Sequence, residues 1–178
     1  MREDAMDDDA TPAIVPERDD AVALFSAHVP EPVYTVAWSS TGVGASGGGD
    51  DKAYLWNPNP NPNTTTPVET SSSALGQPCM IQAAATLAGH EDSVSCLGFS
   101  ADGTILATGG MEGRVLLWNV EDGSRRHVCE GPGDAIEWLT WHSRGRIVLA
   151  GSADYRYDTA FLARGSEGGR WRTGGRFC

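Results

Sequence analysis

Residues able to take up, release or orient a proton recur in this chain at a fixed spacing. His90, Thr108, Glu112 and Trp118 lie in GHEDSVSCLGFSADGTILATGGMEGRVLLWN, residues 89–119, and His28, Ser46, Asp50 and Trp56 stand 62 residues earlier. An imidazole, a hydroxyl and a carboxylate are the parts of a serine hydrolase, in which His deprotonates the hydroxyl and the acid orients the His. They are equally the parts of a buried hydrogen-bonded clamp. A nucleophilic Ser needs an exposed elbow of the G-x-S-x-G kind and an oxyanion hole. ASGGGDD, around Ser46, holds no such turn. A single active site also has no use for a second copy in which Thr and Glu replace Ser and Asp. Those changes would impair catalysis, whereas a clamp tolerates them. The eight residues therefore read as two structural tetrads, with no catalytic residue, cofactor or metal assigned and no enzyme expected.

The elements that must position them are short strands. AVALF (21–25), VYTVAW (33–38), GVGASGG (42–48) and KAYLWN (52–57) are apolar runs, β-branched or aromatic, separated by Pro, Ser and Gly. Strands resume at CMIQAAATL (79–87), SVSCLGFS (93–100), TILATGG (104–110), RVLLWNV (114–120) and SRRHVCEG (124–131). SADG, MEG and EDG supply turns between them. No helical periodicity lasts more than a turn, so the class is all-β. NPNPNPNTTTPVETSSSALGQP, 57–78, has almost nothing to pack and reads as a low-complexity insertion loop. A third copy follows 42 residues after the second: Ile136, Leu139, Trp141, Ala150 and Asp154 take the places of Val94, Leu97, Phe99, Thr108 and Glu112. That offset falls in the ~40–45-residue period of a four-stranded propeller blade. Its tetrad is lost, with Pro132, Ala150 and Ala160 where His, hydroxyl and Trp belong.

The pattern GH…V…L…F-S…D-G…L-A-T-G…V-x-L-W-N resembles a WD40 repeat, with Asn57 and Asn119 where the name has Asp. The acidic start, VYTVAWSSTG, GGDDKAYLWN and IEWLTWHSRGRIVLAGSAD are together similar to the angio-associated migratory cell protein family. The resemblance implies a β-propeller and, in each tetrad, a chain running from Trp indole to hydroxyl to His to acid. It also implies a non-enzymatic interaction scaffold, fungal members of the family acting as chaperones of a large-subunit ribosomal protein. Trp38, Phe99 and Trp141 are expected in the core between blades, and Cys96 as a small buried hydrophobe. The expected architecture is an acidic disordered arm (1–20), a partial propeller (21–154) of about two complete blades plus part of a third, and an Arg/Gly-rich tail (155–178) outside the repeat, disordered. The repeat reads as breaking off in mid-blade, as in a truncated form of a longer propeller. A fragment without a function of its own is the alternative.

Charge sets the partner class. The net charge is −11, with −7 on residues 1–31, −7 on 32–154 and +3 on 155–178. An acidic surface repels a phosphate backbone, so no DNA is expected, and it suits a basic protein instead. Asp7, Asp8, Asp9, Asp19 and Asp20 of the arm are the candidate contacts. The acidic start lacks the apolar run of a signal peptide, and no stretch reaches the ~18 apolar residues of a membrane span. Four scattered cysteines without C-x-x-C spacing fit a reducing compartment, cytoplasmic or also nuclear. The sequence fixes no oligomeric state.

Overall fold

The computed structural model describes residues 23–57, 79–130, 134–152, 160–165 and 171–177. They form three four-stranded antiparallel sheets, each a blade. Blade one is β2 (Val33–Trp38), β3 (Gly44–Gly48), β4 (Lys52–Trp56) and β6 (Ala85–Ala88), hydrogen-bonded in that order. Blade two is β7 (Val94–Phe99), β8 (Ile105–Gly110), β9 (Val115–Asn119) and β10 (Arg125–Cys129). Blade three is β11 (Ile136–Trp141), β12 (Ile147–Ser152), β13 (Ala160–Gly165) and β14 (Trp171–Phe177). A short parallel pair, β1 (Ala23–Phe25) with β5 (Cys79–Ile81), stands beside them. Among the described residues no helix is long and apolar enough to cross a membrane.

The first strand of every blade carries an irregularity at the same place, between Val33 and Thr35, Val94 and Cys96, and Ile136 and Trp138. One extra residue there shifts the alternation by one. This explains why Val94, Leu97 and Phe99, spaced three and then two apart, all serve one face. Leu97 and Phe99 pack with Ala45, Ala53 and Leu55 of blade one. Ile136, Leu139 and Trp141 likewise pack with Ile105, Ala107, Val115 and Leu117 of blade two. The core thus lies between blades, and the middle strands β3 and β8 are buried along their whole length.

Close approach depends on glycine at one repeated position. A Cβ built on Gly47 would lie 2.6 Å from Val94 Cγ1, and one on Gly109 would lie 2.8 Å from Ile136 Cγ2. Polar links reinforce the second junction: Trp141 Nε1 donates to Gly98 O at 2.8 Å, Ser95 Oγ donates to Ile136 O, and Arg146 faces Asp102 at 3.6 Å. The turn ahead of β8 is set by Asp102, which accepts from Ser100 Oγ (2.6 Å) and Thr104 N (3.1 Å) while Gly103 takes φ 69°.

Three expectations need correction. The segment 79–87 is two strands, β5 and β6, because only β6 lies along β4. The stretch 155–178 is not wholly a tail: β13 pairs with β12, and β14 with β13. Backbone N–H and C=O groups make those ladders, so strands form there without the side-chain signature the repeat relies on. Trp38, expected in the core, is 59% exposed, because among the described residues nothing covers that face of blade one. The arm 1–20 and the loop 58–78 lie outside the described residues.

Gly109→Val should force the second junction apart and cost about 1–3 kcal/mol, as overpacking of cores does. A urea titration would show a lowered midpoint. Gly145→Ala, whose nearest atom would be 3.7 Å away, should leave it nearly unchanged.

Candidate functional site

The tetrads fall together as the resemblance implies. His28 sits in the turn before β2, Ser46 on β3, Asp50 in the turn from β3 to β4, and Trp56 at the end of β4. Trp56 Nε1 donates to Ser46 Oγ at 2.8 Å, Ser46 Oγ meets His28 Nε2 at 2.9 Å, and His28 Nδ1 meets Asp50 Oδ1 at 2.6 Å. The proton positions follow from donor inventory. Indole only donates and a carboxylate only accepts, so His28 Nδ1 carries a proton toward Asp50, and in the neutral imidazole Ser46 gives its own to Nε2. Blade two repeats the chain: Trp118 Nε1 to Thr108 Oγ1 at 2.9 Å, Thr108 to His90 at 2.6 Å, and His90 to Glu112 at 2.5 Å.

The two acids are not equivalent. Asp50 uses both oxygens, since Tyr54 OH donates to Oδ2 at 2.8 Å. Glu112 Oε2 is buried without a partner among the described residues. The position matching Tyr54 in blade two is Leu116, which has no hydroxyl to offer and is buried in the core between blades one and two. Burial raises the Asp50 pKa, but hydrogen bonds from His28 and Tyr54 outweigh it and hold the carboxyl below its ordinary value. Burial, then the Asp50 hydrogen bond, pushes the Tyr54 hydroxyl up to about 12. For His90 burial dominates the pull of Glu112, and its pKa lies below the ordinary value.

Sequence reading missed the glycines that make room for these rings. A Cβ on Gly48 would lie 2.6 Å from His28 Nδ1, and one on Gly110 would lie 2.5 Å from His90 Nδ1. With Gly47 and Gly109 they form a hydroxyl-Gly-Gly string in both repeats, and that shared string was the available signal. The first glycine receives the next blade and the second receives the blade's own histidine. Tyr54 carried no repeated signal at all.

Distances alone would suit a hydrolytic triad. Ser46, however, is 5% exposed in the middle of a strand, and the Trp56 indole donates to its oxygen. Among the described residues no three His, Cys, Asp or Glu side chains are placed to hold a metal ion. Burial also pushes the thiols up, Cys96 to about 11 and Cys129 to about 12, away from reactive thiolate. The candidate contacts Asp7, Asp8, Asp9, Asp19 and Asp20 lie outside the described residues.

Thr108→Val keeps the volume but strands the Trp118 N–H and the His90 ring nitrogen. A loss of about 1–3 kcal/mol is expected, and Thr108→Ser should retain more stability; chemical denaturation of the two variants checks the order. Acidification tests the histidine. Since the folded pKa of His90 is lowered, the unfolded chain binds that proton first, and stability should fall as pH drops below about 6.5. The Asp50 contribution, held above the unfolded value of about 3.9, should be lost only at lower pH as the folded carboxyl protonates. Melting curves between pH 8 and 5 should show the decline, and His90→Gln should flatten it.

The WD domain, G-beta repeat (WD40) family matches residues 20–57 and 82–119, the two segments that carry the tetrads. Human angio-associated migratory cell protein is 33% identical over 138 residues, 76% of this chain. The mouse F-box-like/WD repeat-containing protein TBL1X is 33% identical over 123 residues, 68% of this chain and 22% of its own length. This chain spans about a quarter, 26%, of the human relative. Among solved structures, Saccharomyces cerevisiae Sqt1 superposes with a TM-score of 0.64 at 21% identity, over 86% of this chain and 37% of that one. Repeats, tetrads and blade stacking agree: the chain carries WD40 repeats and is built of blades of the β-propeller kind.

Proposed function

We propose that this chain is a non-enzymatic scaffold whose acidic surface receives a basic protein, a ribosomal protein being the example that fits the family resemblance best. One observation carries the reading: in both repeats the His and the hydroxyl are buried and hydrogen-bonded to one another and to the Trp, an arrangement that braces the sheet. WD40 repeats support protein binding in general. The basic character of the partner rests on the net charge of −11 and on five arm aspartates within twenty residues. A reducing compartment, cytoplasmic or nuclear, belongs to the same reading.

Binding of a Lys/Arg-rich peptide, followed by calorimetry, should weaken several-fold on raising salt from about 50 to 300 mM, since exposed charges are screened. Converting Asp7, Asp8, Asp9, Asp19 and Asp20 to Asn should weaken it at low salt and flatten the salt dependence. Affinity indifferent to both changes would remove the electrostatic basis of the proposal.

A further inference from the structure

The tetrad of blade two, unlike that of blade one, has two ways of satisfying its hydrogen bonds. His90 is buried; its Nε2 meets Thr108 Oγ1 at 2.6 Å and its Nδ1 meets Glu112 Oε1 at 2.5 Å. Trp118 Nε1 donates to the same hydroxyl oxygen at 2.9 Å. Thr108 also has a second acceptor for its own proton, the carbonyl of Leu116 at 3.5 Å. A hydroxyl donates once and accepts twice. Thr108 can therefore donate to Nε2 of a neutral imidazole, or turn to Leu116 O while the Nε2–H of an imidazolium donates to it. Indole, hydroxyl and imidazole are satisfied in either state. Blade one offers its hydroxyl no such choice, because among the described residues Ser46 Oγ meets His28 and Trp56 alone.

Acids from two blades act on this ring. Glu112, in the turn from β8 to β9, touches Nδ1, and its Oε2 is buried without a donor among the described residues. Asp51 belongs to the β3–β4 turn of blade one, and its charge reaches His90 across the junction. Asp51 holds φ 60°, where the second repeat has Gly113 at φ 85°. That left-handed conformation is uncommon for a residue with a Cβ, so a carboxylate stands where glycine would suit the backbone. The other charged groups of these turns are engaged elsewhere or stand apart. Asp50 bonds His28 and Tyr54, and Arg114 pairs with Glu91 at 2.7 Å and Glu130 at 3.2 Å. Asp92 accepts from Ser93 N, and Lys52 opens β4.

We propose that His90 is a proton-uptake site that couples blade two to blade one. On acidification its Nε2 takes a proton from solvent, Thr108 turns its hydroxyl to Leu116 O, and Glu112 and Asp51 share the imidazolium between them. Burial opposes the charge and outweighs the two acids, so the site fills below the unfolded value of about 6.5. The unfolded chain binds the proton first, and stability falls over that interval. The fall due to this group ends once the folded ring is filled. From there on the junction carries an attraction between blades that the neutral ring does not supply.

Imidazole nitrogen NMR of the full chain, followed from pH 8 down to the onset of acid unfolding, tests the uptake. The His90 ring should pass from a bare Nε2 to a doubly protonated form while the amide spectrum remains that of the folded chain. Glu112→Gln should move that transition down by about 1 pH or more, a tenfold weaker proton affinity, and Asp51→Asn should move it down by less. Melting curves test the coupling. Asp51→Asn should destabilise the chain more at the acid end of the titration than at pH 8, and in a His90→Gln background its effect should lose that pH dependence. If His90→Gln does not fold, the His90 transition in Asp51→Asn decides alone. The proposal is overturned if His90 stays singly protonated until the chain unfolds, if Asp51→Asn leaves its transition in place, or if the Asp51→Asn effect on melting is the same at every pH.

Discussion

Three polar side chains buried within a blade, with an acid closing the series at the rim, are tolerable only in one another's company. A single such hydrogen bond adds little net stability, about 0.5–1.5 kcal/mol, but each group left unpaired costs about 1–3 kcal/mol. The indole, hydroxyl, imidazole and carboxylate therefore act as a unit that ties the turn before a blade to its second and third strands. Everything else follows from where that unit must sit. The imidazole packs close against backbone, which requires glycine at 48 and 110. The neighbouring glycine then leaves the hollow in which the next blade is seated.

Blades one and two show how much variation the arrangement accepts. Asp50 is short and reaches Tyr54 as well as His28, so every polar atom finds a partner. Glu112 is longer, lays its carboxyl group against Gly110, and leaves one oxygen without a donor among the described residues. Tyr54, itself buried, carries its hydroxyl to the acid, while Leu116 in the matching place is packed into the core between blades and has no hydroxyl. The difference between the acids thus follows from the side chain opposite each, a phenol in one blade and a hydrocarbon in the other.

Blade three shows the opposite limit. Ala150, in the place of Thr108, is fully buried and packs as plain hydrocarbon with Ile136 and Val148. Its neighbour is Gly151, as Gly47 and Gly109 are for the hydroxyl residues. A sheet lacking the hydroxyl can still dock on its predecessor, through Leu139, Trp141 and the indole bond to Gly98. The tetrad and blade stacking are therefore separable, which is why a repeat can lose one and retain the other.

The sequence by itself determined the period, the strands of the first two blades and the membership of both tetrads. Identical spacings of His, hydroxyl, acid and Trp can repeat only if the same local geometry repeats. It also showed the third copy through Ile136, Leu139 and Trp141, since those positions answer to packing. Only the tertiary structure decided the rest. The strands at 160–165 and 171–177 are held by backbone ladders, which leave no side-chain signature. The bond of Tyr54 to Asp50 depends on how the turn after β3 folds back on β4, and the exposure of Trp38 on which face of a blade has a neighbour, a property of stacked sheets rather than of any one stretch of chain.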